Sequence, residues 1–403
     1  MTPCTILLPS VIRVLGGNPQ AAFNLYFSNF LMPFRNEWDV QVWCEYGQNR
    51  GDCWCLEGKA LAEEKNFPLT LLVYDEWGEK IAERVVTVKV CMAPEASVRT
   101  MFFGDSMTHS GSYMQHACDR MPTLQTVGFR TFDGKIYREG RGGWDMFSYF
   151  EHRLAKTDRI MSPFVFPIAL SGEEYYGDLL FWRETQNPNH HPYAYDGYAY
   201  EEPKEGQYAL SEGEMVQLRH GTWQKTELQT EFAFDFGKFI VRHNLGKLHA
   251  VSVLIGANDL QKIRYEQSSA AIESFVNYLQ AFEQSVHAHD PEIAVVFNLP
   301  ILGGSAYQWG RVYGSAYTEK LYRFNMQHAA QAMLATFDNR EDERIFICPM
   351  LAAVDPVNAF KRVTYRPNPY ADVERETSGD WIHPAKVGHC QMGDAIAAVL
   401  ADI

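Results

Sequence analysis

A chain of 403 residues exceeds one ordinary domain and fits two, at roughly 100–200 residues per domain. Its 46% hydrophobic and 21% charged residues are the balance of a globular protein with a sizeable core, which excludes wholesale disorder. A formal charge of −14 argues against a nucleic-acid partner and gives no electrostatic reason to bind an anionic membrane.

The first ten residues carry no basic stretch, and Pro9 breaks their apolar run, so they do not read as a secretory signal. No segment approaches the ~20 apolar residues of a membrane span. The expectation is a cytoplasmic protein. The eight cysteines are scattered, with Cys53 and Cys55 the one close pair, and are expected to be structural thiols. Residues 1–95 look β-rich. The runs Phe67–Asp75 and Lys80–Val90 flank the turn Glu76–Glu79, a hairpin signal, and Val40–Tyr46 alternates in a similar way. This predicts a small β-sandwich accessory domain without catalytic groups, joined through Ala93–Ala96 to the rest.

Residues 96–403 change pattern. Val98–Phe103 is a strand ending on Gly104-Asp-Ser106, and Leu248–Ile255 is a buried-type strand ending on Gly256-Ala-Asn-Asp259. Ile293–Leu299 and Arg344–Cys348 are two more strands, while Ser268–His289 and Ala316–Phe337 are glycine-free and helix-like. Such alternation predicts a parallel sheet with helices on both faces. Pro384 can open a final helix, in which Met392, Ile396, Val399 and Leu400 recur at helical spacing. Residues 160–235 break the alternation. They are rich in turn formers and tyrosine and are read as an insertion.

Four short blocks carry chemistry. Ser106 follows a strand, where a serine on a strand-to-helix turn exposes its hydroxyl. Gly140-Arg-Gly-Gly143-Trp144 can bring a backbone N–H close to a ligand, as an oxyanion donor requires. Asn258 can aim a side-chain NH₂ at the same place. Asp380-Trp-Ile-His383 spaces a carboxylate and an imidazole across one tight turn, so that Asp380 could orient His383 as a base. Each block alone has a bland alternative: a chance tripeptide, a glycine turn, an Asn-Asp turn, a surface cap. Together, in order and at element ends, they would coincide by chance on the order of once in ten thousand chains.

The set resembles the SGNH (GDSL-like) hydrolase family over residues 98–403, discontinuously. The resemblance implies a flavodoxin-like parallel sheet and a serine ester hydrolase with Ser106 as nucleophile and Asp380 and His383 completing a triad. It also implies an oxyanion hole made by the Ser106 N–H, the Gly143 N–H and the Asn258 side chain, with Gly142 as the alternative register. Asp105 and Asp259 match positions that are usually structural. Arg138 stands where other members often have Asn. No cofactor or metal is implied, and the remaining histidines, including His109, His116, His190 and His191, lack metal spacing. The expected substrates are small acyl esters, foremost O-acetyl groups on carbohydrates, with Trp144, Tyr193, Tyr195, Tyr198 and Tyr200 as candidate substrate contacts. A lipase or thioesterase acting on longer chains and a non-catalytic glycan-binding module are the competing readings. The sequence sets no oligomeric state.

Overall fold

A computed structural model describes residues 4–17, 22–57, 61–131, 134–151, 162–169, 179–180, 205–206, 208–211, 214–226, 230–303, 318–380 and 382–403. In its first part, strands Val11–Leu15, Lys80–Cys91, Lys65–Tyr74 and Asp39–Cys44 lie side by side in that order. The expected hairpin is present: Lys65–Tyr74 pairs antiparallel with Lys80–Cys91. Asp75 closes its turn by accepting from the backbone N–H groups of Trp77 and Glu79 at 3.0 and 2.9 Å. Phe67, Leu69, Leu71 and Val73 alternate along the strand and are buried, the period-2 pattern of a sheet with one face in a core. A second sheet joins Ala22–Tyr26, Cys53–Glu57 and Gln48–Asn49.

This region is bonded tightly to the rest. The Arg13 guanidinium meets Asp402 at 2.7 Å and Glu341 at 3.4 Å. Asp338 accepts from the backbone and hydroxyl of Ser10. The buried Asn29 amide donates to the carbonyls of Leu351 and Val354 at 3.0 and 2.7 Å.

The second part is built on a parallel sheet. Its parallel strands are β1 (Val98–Gly104), β2 (Leu124–Val127), β3 (Tyr137–Gly140), β4 (Ala250–Leu254), β5 (Ala294–Asn298) and β6 (Ile345–Cys348), with the short Arg130–Thr131 antiparallel beside β3. β2 pairs with the first half of β1 and β3 with its end, both on one side. On the other side β4, β5 and β6 follow in order, all parallel. Counting β2 and β3 as one position, the order is flavodoxin-like, and the chain reverses direction across the sheet at β1. Such switch points open a crevice at the carboxyl ends of the strands.

Helices cover the sheet: α1 (Ser106–Ser110), α2 (Ser112–Arg120), α3 (Met146–Phe150), α4 (Phe236–Arg242), α5 (Ala257–Leu260), α6 (Tyr265–His289), α7 (Glu319–Phe337) and α8 (Lys386–Leu400). α6 buries Ile272, Phe275, Val276, Leu279, Phe282 and Val286, one apolar stripe at helical spacing. In α8 every residue from Ala395 to Leu400 is buried, because the helix packs against both α2 and the Val11–Leu15 strand. No helix among the described residues is long and apolar enough to cross a membrane.

The described residues between 160 and 235, the stretch read from sequence as an insertion, hold strands. Val165–Ala169 pairs antiparallel with Thr230–Phe234, and Tyr208–Ser211, Glu214–Arg219 and Thr222–Lys225 form a meander. Tyr193, Tyr195, Tyr198 and Tyr200 lie outside the described residues.

Candidate active site

β1 ends where β4 ends, and the junction leaves no room for a side chain. A Cβ on Gly104 would overlap the Leu254 carbonyl and the Thr108 hydroxyl. Asp105 then caps α1, its Oδ1 accepting from the Met107 N–H at 3.0 Å. Ser106 is thereby the first residue of a helix, half-buried, with its hydroxyl at the sheet's carboxyl edge.

The structure brings Ser106 and His383 together: Oγ and Nε2 are 2.9 Å apart, although 277 positions separate them in sequence. His383 is held by its flanks. Asp380 Oδ1 accepts from the backbone N–H groups of Ile382 and His383 at 3.0 and 2.9 Å, and the Ala385 N–H donates to the Ala359 carbonyl at 2.6 Å. The same Oδ1 lies 3.6 Å from His383 Nδ1, an electrostatic contact longer than a hydrogen bond. The Asp380 carboxylate raises the pKa of His383, against the opposing effect of burial. Burial pushes the Asp380 carboxyl up, yet the His383 ring and the two N–H donors outweigh it and hold the group at about 2.

The glycine block forms a turn at the same edge. The Trp144 N–H donates to the Arg141 carbonyl at 3.3 Å, and Gly143 takes φ +79°, the left-handed region that glycine enters without strain. The Arg141 N–H donates to the Gly104 carbonyl at 2.9 Å, which pins this turn beside Ser106. A Cβ on Gly142 would meet nothing within 4 Å, so backbone strain singles out Gly143 rather than Gly142.

Asn258 reaches the same turn from the β4 end. Its Nδ2 donates to the Trp144 carbonyl at 2.9 Å, and its Oδ1 accepts from Gln261 at 3.0 Å. Beside it, Asp259 Oδ1 accepts from the Met146 N–H at 2.9 Å, at the start of α3. Burial pushes the carboxyls of Asp259 and Asp105 up, to about 8 and about 7.

One expected substrate contact does not hold. The Trp144 side chain is fully buried, its ring against Tyr149 and beneath the Arg141 guanidinium. It packs the floor of the glycine turn, and only its backbone faces the other site elements.

Sequence reasoning missed three supports. The Tyr149 hydroxyl lies 2.7 Å from the Gly104 carbonyl and 2.9 Å from that of Glu139, joining the ends of β1 and β3. Arg138 donates to the His109 carbonyl at the end of α1. Gln261 bonds Asn258. Only Arg138 had drawn notice from its position, and no local pattern marks the other two. His109 is drawn well below the usual histidine range, to about 4, by burial and by the nearby Arg130 and Arg138. His116 pairs with Asp394 at 3.1 Å. All eight cysteines are free thiols.

A groove of about 970 Å³ runs between α4 and α6, lined by residues such as Phe234, Lys238, Val241 and His289, and none of the four blocks contributes to its described lining.

No family model and no curated protein matches the chain. Among solved structures it is similar to a protein described as a GDSL-like lipase, from Parabacteroides merdae ATCC 43184. Identity is 14%, coverage is 76% of this chain and 97% of that one, and the TM-score is 0.32. A second similar structure is a peptidoglycan O-acetylesterase, at 10% identity over 77% of this chain and 92% of that one, with a TM-score of 0.32. At these identities and scores, a functional reading has to stand on this chain's own residues.

Proposed function

We propose that this protein is a serine ester hydrolase of the SGNH type, with Ser106 as nucleophile, His383 as general base and Asp380 as the group that orients and charges the base. The observation that carries the reading is the 2.9 Å contact between Ser106 Oγ and His383 Nε2 at the carboxyl edge of a parallel sheet.

In this reading His383 Nε2 takes the Ser106 proton as Oγ attacks the acyl carbon. The oxyanion that forms is met by the N–H groups of Ser106 and Gly143 and by the Asn258 amide. His383 then hands its proton to the departing alcohol. Water, deprotonated by the same imidazole, releases the acid and restores the serine. The imidazolium is stabilised in each half-reaction by Asp380, ionised at any pH above about 2.

The substrate is a small acyl ester of a polar alcohol, foremost an acetylated carbohydrate. The His383 side chain is 48% exposed and that of Asp380 31%, and so wet a rim suits a hydroxyl-bearing alcohol better than a long acyl chain. Residues 1–95 act as a β-sandwich accessory domain and supply no reacting group.

The test is Ser106→Ala, assayed on p-nitrophenyl acetate and on acetylated xylo-oligosaccharides. Loss of a triad serine can cost about 10⁶ in kcat. A folded variant retaining a tenth of wild-type turnover on both substrates would end the assignment.

A further inference from the structure

We propose that Gln261 is a positioning residue that fixes the side chain of the oxyanion donor Asn258 against the glycine turn, a proposal that rests on the oxyanion role given to Asn258 above. The two ends of a carboxamide have nearly the same shape, so packing scarcely distinguishes NH₂ from oxygen, and hydrogen bonds must do so. At one end of the Asn258 amide lies the Trp144 carbonyl, 2.9 Å away, which can only accept. At the other lies Gln261 Nε2, which donates to Oδ1 at 3.0 Å. Turning the amide over would set oxygen against oxygen at the first end, so the Trp144 carbonyl selects the orientation. Gln261 is an amide whose own Oε1 meets no donor among the described residues and could turn with its partner, so its contribution is to pin the far end of the Asn258 side chain in place.

The geometry comes from the local helix. Gln261 follows α5 directly, its N–H donating to the Ala257 carbonyl at 3.0 Å, so it falls three residues after Asn258 and on the same face. It is 8% exposed, which keeps water from substituting for the donor. The chain of bonds continues beyond Asn258: the Trp144 carbonyl it reaches belongs to the residue that closes the Gly143 turn. A side chain placed outside the reacting set therefore helps hold one oxyanion donor in position and braces the turn that carries another.

The test is a double-mutant cycle in the full chain, with kcat, KM and thermal midpoint measured for each variant on p-nitrophenyl acetate. Asn258→Ala should lower kcat about 10²–10³-fold. Gln261→Met, similar in size but without a donor, should lower kcat about tenfold and leave KM within about twofold. Combined with Asn258→Ala it should cost less than about twofold more, because coupled residues are not additive. Equal losses in both backgrounds would overturn the proposal, since Gln261 would then act on the fold and not through Asn258. Gln261→Glu keeps size and polarity but offers an ionised acceptor in place of the donor, and it replaces Gln261→Met in the cycle if that variant melts early. Unchanged kcat in Asn258→Ala, with Ser106→Ala inactive, would instead remove Asn258 from the oxyanion hole and the proposal with it.

Discussion

Arg138 Nε donates to the carbonyl of His109 at 2.7 Å, so the strand leading to the glycine block is fastened to the last turn of the helix that opens at Ser106. A guanidinium at a helix carboxyl end satisfies an orphan carbonyl and meets the negative pole of the helix. Arg138 is fully buried, and its Nη1 also donates to the Ile136 carbonyl. Arg138→Met should destabilise the protein by about 1.5–3 kcal/mol in a denaturant titration, the range for hydrogen bonds to charged groups. It should also lower kcat, because α1 carries the proposed nucleophile Ser106. Unchanged turnover at reduced stability would confine Arg138 to folding.

Asp380→Asn separates shape from charge. An Asn Oδ1 can still accept from the N–H groups of Ile382 and His383, so the turn should survive, while the stability contributed by the ionised carboxylate is lost and the thermal midpoint should fall at neutral pH. The charge that raises the His383 pKa is gone. Wild-type kcat/KM should rise with pH through a midpoint above the ordinary histidine value of about 6.5, since only the neutral ring can take the serine proton. In the variant the midpoint should move down towards 6.5 and kcat should fall by about 10³–10⁴. A pH–rate profile shows both. An unshifted midpoint would mean that Asp380 does not act on the base. The linkage to folding has two signs. The raised pKa of His383 stabilises the protein fully below about 6.5, a contribution lost as pH rises through the folded value. The lowered pKa of Asp380 stabilises it above about 3.9, a contribution lost as pH falls through about 2.

Asp259 works the other way. Burial holds its carboxyl at about 8, so the folded state keeps a proton that the unfolded chain releases near 3.9. Stability is therefore drained as pH rises between those values. Asp259→Asn retains an oxygen for the Met146 N–H and has no proton to lose. Its unfolding free energy should match wild type at pH 4 and exceed it increasingly up to pH 9, where the gap should be on the order of a few kcal/mol. Parallel pH–stability curves would show that Asp259 ionises without penalty.

Asn29→Ala probes the seam between the first sheets and the parallel sheet. It leaves the buried carbonyls of Leu351 and Val354 without this donor, at about 1–3 kcal/mol for an unsatisfied buried group. The variant should unfold earlier and turn over substrate at the wild-type rate below its melting point. A lowered kcat at constant stability would show that the first 95 residues reach the site.

Much of the candidate site was legible because the proposed reacting groups sit at element ends, where local sequence often shows both the strand and the residue that follows it. Ser106 and Asn258 were found in that way, the Asp380–His383 pair by its spacing ahead of the final helix, and the hairpin around Asp75 by its two flanking runs. The sequence chose Gly143 over Gly142 by register, and no local pattern foretold that Gly143 alone of the two takes a positive φ. Trp144 misled because a tryptophan beside a glycine turn looks the same whether its ring faces solvent or core. The contact between Arg138 and His109 spans 29 positions, and nothing local to either residue foretells it. Strand order was equally silent, since alternation says that strands are parallel but not which are neighbours.

The bond between Arg13 and Asp402 has a bearing on biosynthesis. Its partners are 389 positions apart, and ribosomes add about 5–20 residues per second. The Val11–Leu15 strand therefore emerges about 20–80 seconds before the helix that covers it. Through that interval its docking face is open to chaperones and to neighbouring nascent chains. His383 is translated just ahead of the same helix, so Ser106 meets His383 only as the Val11–Leu15 strand is finally covered.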